Sequence, residues 1–549
     1  MRAAMLARQV RHEFVALVRT PITLILAIGF PLLFFILLAS LIGNEVVDPR
    51  TGVRLVQYLA PGLAAFGVAM ATFSFLAYGF AEARSLGVLK RQAATPAPSW
   101  VLLGGRVGAA LLLGLLAVGL IVGAGAAFYG LQLYGRSLLL LVLAVVLASM
   151  TLSTWGLALA LVLPSPQTTL AVTNGIVISL SFVSDMFSFG GQLPDWLDTV
   201  GWLFPLKHLV AVLSGAFDPT TPGAVPWGHV GAIAAWGAAA AVIAGWLLRS
   251  ERDSMPVRTP AAAKSKDSTA DRVARRTGSP SARSLLGSQI LHTQAVLWRN
   301  PGSVFFAVAF PVLLVAVIPT VNGGGQVRLS SGDWLSLSYA ATMAIYGAAV
   351  TAYANMPQAL AEDRERGVLK RVRATPLPTW ALLVGRVVGA VVVALITLAV
   401  VAAVVALLFR PPLPQAWPGA VVTFVVSTVC FAVLGLAVMS LVGSAQAVIG
   451  VSLGTLLPLS FVSDIFVVGL TFPAVLEFIS WVFPLRHASR AMTESVSVNA
   501  TGWGLSWGHL AVLVAWTVAG ALVVARRFRW EAREGGRGGA TSTLATANT

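Results

Sequence analysis

Charge is scarce in these 549 residues: Asp, Glu, Lys and Arg make up 11% of the chain, where a soluble protein carries about 25%. With 57% apolar residues and a mean hydropathy of +0.83, the chain is an integral membrane protein. Cysteine is nearly absent too. Cys430 stands alone inside an apolar run, which excludes an intramolecular disulfide. Lysine is rare, and Lys90, Lys207, Lys264, Lys266 and Lys370 all follow a residue other than glycine. A phosphate-binding loop needs a Gly-Lys pair, so that backbone amides and an ammonium can hold the phosphates together. No ATPase site is therefore expected in this chain. Ionisable residues are missing from the middles of the apolar runs, which argues against an ion-coupled carrier. No Ser/His/Asp set or carboxylate pair converges in sequence, so intramembrane hydrolysis has no support. The first twenty residues lack a short apolar core followed by a small-residue cleavage site, so no cleaved signal peptide is expected.

Long apolar runs are what the chain has in abundance. Residues 1–20 are basic and amphipathic, suited to lying in the headgroup plane or flanking a first span. Spans are expected at 22–43, where Pro31 should kink the helix, then at 58–81, 107–129 and 227–248. The 48 uncharged residues from Ser137 to Ser184 suit two spans broken at Pro164-Ser165-Pro166. Between 185 and 226 the apolar pieces are too short to cross and read as re-entrant or interfacial helices.

The programme then restarts. Residues 82–106 (EARSLGVLKRQAATPAPSWVLLGGR) and 362–386 (EDRERGVLKRVRATPLPTWALLVGR) share 16 of 25 positions at an offset of 280. SFVSD recurs at 181–185 and 460–464, FPLKH at 204–208 as FPLRH at 483–487, and WGH at 227–229 and 507–509. The expected fold is an all-α membrane protein of twelve transmembrane helices in two six-span units, 1–250 and 284–530. A basic, disordered linker at 251–283 and a disordered tail at 531–549 complete it. Six is even, so the two units enter from the same side and are parallel repeats. Counted over the loops of this layout, one side carries 29 basic and 11 acidic residues and the other 8 and 10. The positive-inside rule then places both termini, the linker and both copies of the repeated segment in the cytoplasm, in the plasma membrane. The net charge of +16 is thereby a topology signal, with no nucleic acid implied.

Each repeated segment offers charge at Glu82, Lys90 and Arg91 or Glu362, Lys370 and Arg371. A small apolar surface sits at Gly87 and Leu89 or Gly367 and Leu369, and a proline turn at Pro96 or Pro376 redirects the chain. Topology needs charge but not this order of residues, so a docking surface for a cytoplasmic partner is the preferred reading. On the other side, Asp185 and Asp464 end their apolar runs. They read either as solvated helix termini or as an extracellular gate or anchor for the re-entrant segment. His208 and His487 lack companions at metal-ligand spacing, so hydrogen-bonded structural histidines are expected and no metal.

At Glu82–Arg106 and Glu362–Arg386 the sequence resembles the ABC-2 family of ABC exporter permeases, whose pattern after the second span is E-x-x-x-x-G-[VT]-[LI]-[KE]-R-…-[AS]-T-P-[LV]-…-G-[KR]. The resemblance implies that these segments are coupling helices. They would contact ABC ATPase subunits, two copies supplied in trans, which bind the ATP and Mg that this chain does not. It also implies a transporter subunit working among membrane lipids on a small amphipathic or hydrophobic compound. The fused layout is similar to actinobacterial tetronasin- and anthracycline-type antibiotic exporters. Export of a lipid-linked or polysaccharide product is the runner-up, and a non-transporting scaffold or sensor the reading from another class.

Overall fold

The structure, a computed structural model, describes residues 2–41, 46–48, 53–132, 135–186, 195–217, 226–253, 282–298, 301–321, 323, 327–375, 377–466 and 473–530. The expected linker and tail lie almost wholly outside these residues, although helix Trp227–Asp253 runs on to the linker's expected start.

Both halves follow one order of elements. An amphipathic arm, Arg2–Val18 or Ala282–Trp298, leads into a helix over 21–41 or 301–321. Each of these first helices widens into a π turn, Ile25–Gly29 or Phe305–Ala309, just before Pro31 or Pro311. Phe30 N–H reaches back five residues to Ile25 O, and Phe310 N–H to Phe305 O. The wider turn makes room for a proline ring that would clash with the carbonyl four residues back. The long helices Leu55–Ser85 and Leu335–Glu365 follow and are almost wholly buried, each with a second π turn at Met70–Phe75 or Val350–Asn355. Ser99–Tyr129 and Thr379–Leu408 come next, then Gly135–Val162 and Trp417–Leu441.

The break expected at Pro164–Pro166 is present. Helix Pro166–Val183 restarts with Pro at its first position, where no N–H is missed, and Ser165 Oγ accepts from Thr168 N–H at 3.1 Å. Ser444 does the same for Ala445–Val462. Two short helices follow in each half, Asp195–Gly201 with Pro205–Phe217, bent by 91°, and Ala474–Val482 with Pro484–Val496. Trp227–Asp253 and Trp507–Arg527 close the halves at the periphery. A two-stranded hairpin at Val46–Asp48 and Val53–Arg54 is a minor addition to an otherwise helical fold.

By length and composition ten described helices can cross a membrane. Six belong to the second half. In the first half Ile25–Ser40 is shorter and Pro166–Val183 more polar than their counterparts, so twelve crossings rest on the repeat itself. The halves join by exchange: the first helix of each packs on the fifth of the other. Phe30 and Phe34 rings lie 6.0 and 4.6 Å from Phe461, and Phe305 lies over Gly175.

Candidate functional site

The repeated segments form the same compact device twice. Leu76–Ser85 ends, Gly87 turns the chain, and the short helix Val88–Ala93 follows; Met356–Glu365, Gly367 and Val368–Arg373 repeat this. Gly87 and Gly367 have φ of 69° and 70°, the left-handed region that side chains disfavour, and open space surrounds both. They are needed for the turn; no close approach within the chain demands them. Arg84 and Arg364 also work internally. Arg84 donates to Leu161 O and Leu163 O at 2.8 and 2.5 Å, and Arg364 to Met439 O, Val442 O and Gly443 O at 3.2, 2.8 and 3.2 Å. Each guanidinium thus caps the orphan carbonyls that end the fourth long helix.

The closing Gly-Arg of each segment seats the arm. A Cβ on Gly105 would lie 2.3 Å from Gln9, and one on Gly385 would lie 2.5 Å from Gln289. Arg106 then meets Glu13 on the arm at 3.5 Å, while Arg386 meets Asp363 at 2.6 Å. Thr95 and Thr375 hydroxyls close their turns on Gln92 O and Val372 O, both at 2.6 Å. Glu82 and Glu362 are half-buried and accept from Tyr78 and Gln358 one turn earlier, at 3.3 and 3.2 Å. Leu369 is buried and Leu89 half-buried.

What remains outward is Lys90, Arg91 and Pro96 in one copy and Lys370 and Arg371, joined by Arg373, in the other. Pro376 lies outside the described residues. Trp100 and Trp380 are also about half-exposed beside them, at 49% and 52%. The candidate docking surface is therefore a cationic patch, and several sequence-selected residues serve as its scaffold.

At the opposite face, Asp185 and Asp464 have φ of 59° and 56°, holding the left-handed position that ends a helix. Met186 N–H donates to Ser181 O at 3.1 Å and Ile465 N–H to Ser460 O at 3.2 Å, the closing bonds of that turn. Neither carboxylate is a bare solvated terminus. Asp185 meets Lys207 at 3.1 Å, and Lys207 also pairs with Asp198 and lies 4.9 Å from the Trp202 ring centroid. Asp464 meets Arg490 at 2.6 Å, while Arg486 meets Glu477 at 3.4 Å and lies over Trp481. Burial raises the Asp464 carboxyl above its ordinary range, against the pull of Arg490 and Arg486.

His208 shares an Nδ1···Nδ1 hydrogen bond with His229 at 3.0 Å, and His487 with His509 at 2.9 Å. Nε2 of the first ring in each pair bonds a tryptophan carbonyl, Trp202 O or Trp481 O. These are hydrogen-bonded structural pairs, as expected. Lys207 and Arg486 are not among the residues expected from sequence, although FPL[KR]H places a cation beside each histidine.

Between the halves lies an apolar cavity. Its walls come from both repeats: Phe30, Phe34 and Phe66 from the first, Phe310, Tyr346 and Phe461 from the second. Leu26, Met70 and Phe306, on the π turns, also line it. Such turns recur at functional sites because they re-aim side chains. None of these lining residues is expected from sequence. The signal was present in Phe-Pro at 30–31 and 310–311 and Ser-Phe at 181–182 and 460–461.

No curated protein matches the chain significantly. The family model for the ABC-2 type transporter membrane domain matches twice, over residues 6–217 and 289–496, one match in each half. The chain is a member of the ABC-2 type transporter family, with two copies of its membrane domain fused in one polypeptide.

Proposed function

We propose that this chain is the permease subunit of an ATP-driven exporter that moves amphipathic or hydrophobic, drug-like compounds out of the cell. Two ABC ATPase subunits would dock at the cationic patches around Lys90–Arg91 and Lys370–Arg371 and supply the ATP and Mg chemistry. Both patches and both termini face the cytoplasm in this reading, twelve helices cross the plasma membrane, and the short paired helices face outside. Closure of the ATPases would push on the short helices Val88–Ala93 and Val368–Arg373. The Gly87 and Gly367 turns would pass that push to the buried helices lining the cavity. The clasps at Asp185 and Asp464 would hold the outer gate.

The aromatic cavity between the halves is the observation that carries the cargo class. Phenylalanine faces take apolar and aromatic compounds, and two tyrosines, Tyr339 and Tyr346, give orientation. A polysaccharide would need a more polar wall. The test uses everted vesicles containing the permease and its ATPase. They should accumulate a hydrophobic fluorescent compound on ATP addition and with ion gradients collapsed. Phe34→Ala/Phe461→Ala should cut transport while ATPase binding persists. Transport that needs an ion gradient and ignores ATP contradicts the proposal.

A further inference from the structure

The second half carries a groove that is smaller in its twin. It opens at the bundle surface among Trp417–Leu441, Ala445–Val462 and Trp507–Arg527, with a volume of about 470 Å³ between apolar walls. The corresponding space in the first half is about 200 Å³. Trp155 lines the first half's space. Aligning Trp155-Gly156-Leu157-Ala158 with Leu434-Gly435-Leu436-Ala437 puts Leu434 in its place. The Trp155 indole donates to Trp236 O at 3.1 Å and so crosses the space that Leu434 leaves open.

This groove ends at a basic pocket of about 100 Å³, and Leu441 lines both. Arg364, Arg527 and Arg529 surround the pocket. Arg527 lies one helical turn beyond Val523, which lines the groove, so the two share a face. Arg364 is engaged with backbone carbonyls. Arg527 and Arg529 are exposed, and neither has a carboxylate partner among the described residues. In the first half Leu247 stands where Arg527 does, and Arg249 where Arg529 does.

From this junction we infer a binding site for one anionic phospholipid, present in the second half only. Its phosphate sits on Arg527 and Arg529, and an acyl chain runs past Leu441 toward Trp516. A guanidinium fork matches phosphate oxygens in geometry as well as charge. Basic pockets at the ends of membrane helices collect anionic headgroups, and the apolar groove at membrane depth supplies the chain's path. The inference rests on the membrane placement of Trp507–Arg527 and is independent of ATP coupling.

The test is native mass spectrometry of the full chain released from nanodiscs of mixed phosphatidylcholine and phosphatidylglycerol. One phosphatidylglycerol should be retained per chain. Arg527→Ala/Arg529→Ala should weaken retention about thirtyfold, from two headgroup contacts. Leu434→Trp, which copies Trp155 of the other half, should abolish it with the arginines intact. Thermal melting of both variants separates loss of lipid from loss of fold. Equal retention by parent and double variant overturns the site. So does equal retention of phosphatidylcholine, which would mean a non-specific annulus, or replacement of the phospholipid by a transported compound.

Discussion

Arg106 and Arg386 occupy the same place in the two repeats but take their carboxylates from different elements, Glu13 of the arm and Asp363 of the second long helix. The partners are exchanged as a set, because Thr293 replaces Glu13 and Ala83 replaces Asp363. Both arginines are buried, at 9% and 3% exposed side chain, so each needs its counter-charge. Glu13→Thr should cost about 2 kcal/mol, between the limits for exposed and buried pairs. Adding Ala83→Asp should return most of it by rebuilding the second half's arrangement. Detergent-solubilised melting of the single and double variants checks this; a double variant no better than Glu13→Thr contradicts it.

Arg84 and Arg364 are helix caps first. Arg84→Met or Arg364→Met leaves helix-end carbonyls without their charged donor, at a cost of about 2–3 kcal/mol each. Membrane abundance should fall in proportion. Lysine should rescue poorly, since one ammonium cannot span two carbonyls as the fork does. Quantitative immunoblotting of the four variants is the check, and full rescue by lysine would refute the cap.

Gly87 and Gly367 separate backbone from surface effects. Alanine there should cost about 1 kcal/mol through the left-handed turn. Asparagine, which tolerates that region, should cost less. With open space around both positions, a docking defect in the asparagine variants beyond any loss of stability would report the partner's approach.

Acidification should act on two carboxylates in opposite senses. Asp464 is raised by burial, so it takes up its proton before ordinary carboxyls and lets go of Arg490. Its charge is disfavoured by the fold, so this protonation costs no global stability. Asp333 is partly buried, which raises it, but hydrogen bonds from Ser497, Ser331 and the Val498 amide outweigh this and lower it. Its contribution is present above about pH 4, the unfolded value, and is lost as pH falls through the lowered value. Hydrogen exchange, corrected for its intrinsic pH dependence, should therefore quicken around 497–499 as pH falls below about 4, while 463–466 keeps its protection. Loss of protection at 463–466 with none at 497–499 would contradict these assignments.

The sequence was most legible where a physical demand is local. Apolar length located the helices, Pro164-Ser165-Pro166 the break, and the 280-residue offset the duplication. It was least legible where one side chain answers to distant partners. The cap role of Arg84 is invisible in sequence because its carbonyls lie 77 and 79 residues away. Gly87 suggested a partner's approach, where its immediate cause is a positive φ. The cavity draws on helices from both halves, so no single stretch announces it. Glu82 and Glu362, chosen for their charge, are held by their own helices, which leaves Lys90–Arg91 and Lys370–Arg371 as outward charge.

The most direct test of the account is co-purification with the ATPase and measurement of its stimulated hydrolysis. It compares the parent with Lys90→Glu/Arg91→Glu/Lys370→Glu/Arg371→Glu at matched membrane abundance. These side chains point outward and make no described ion pair within the chain, so the permease should still insert and fold. The account predicts that the parent binds the ATPase and that a hydrophobic compound stimulates hydrolysis, while the variant loses both. A variant that binds and stimulates like the parent would reduce the repeated segments to topology signals and contradict the docking claim.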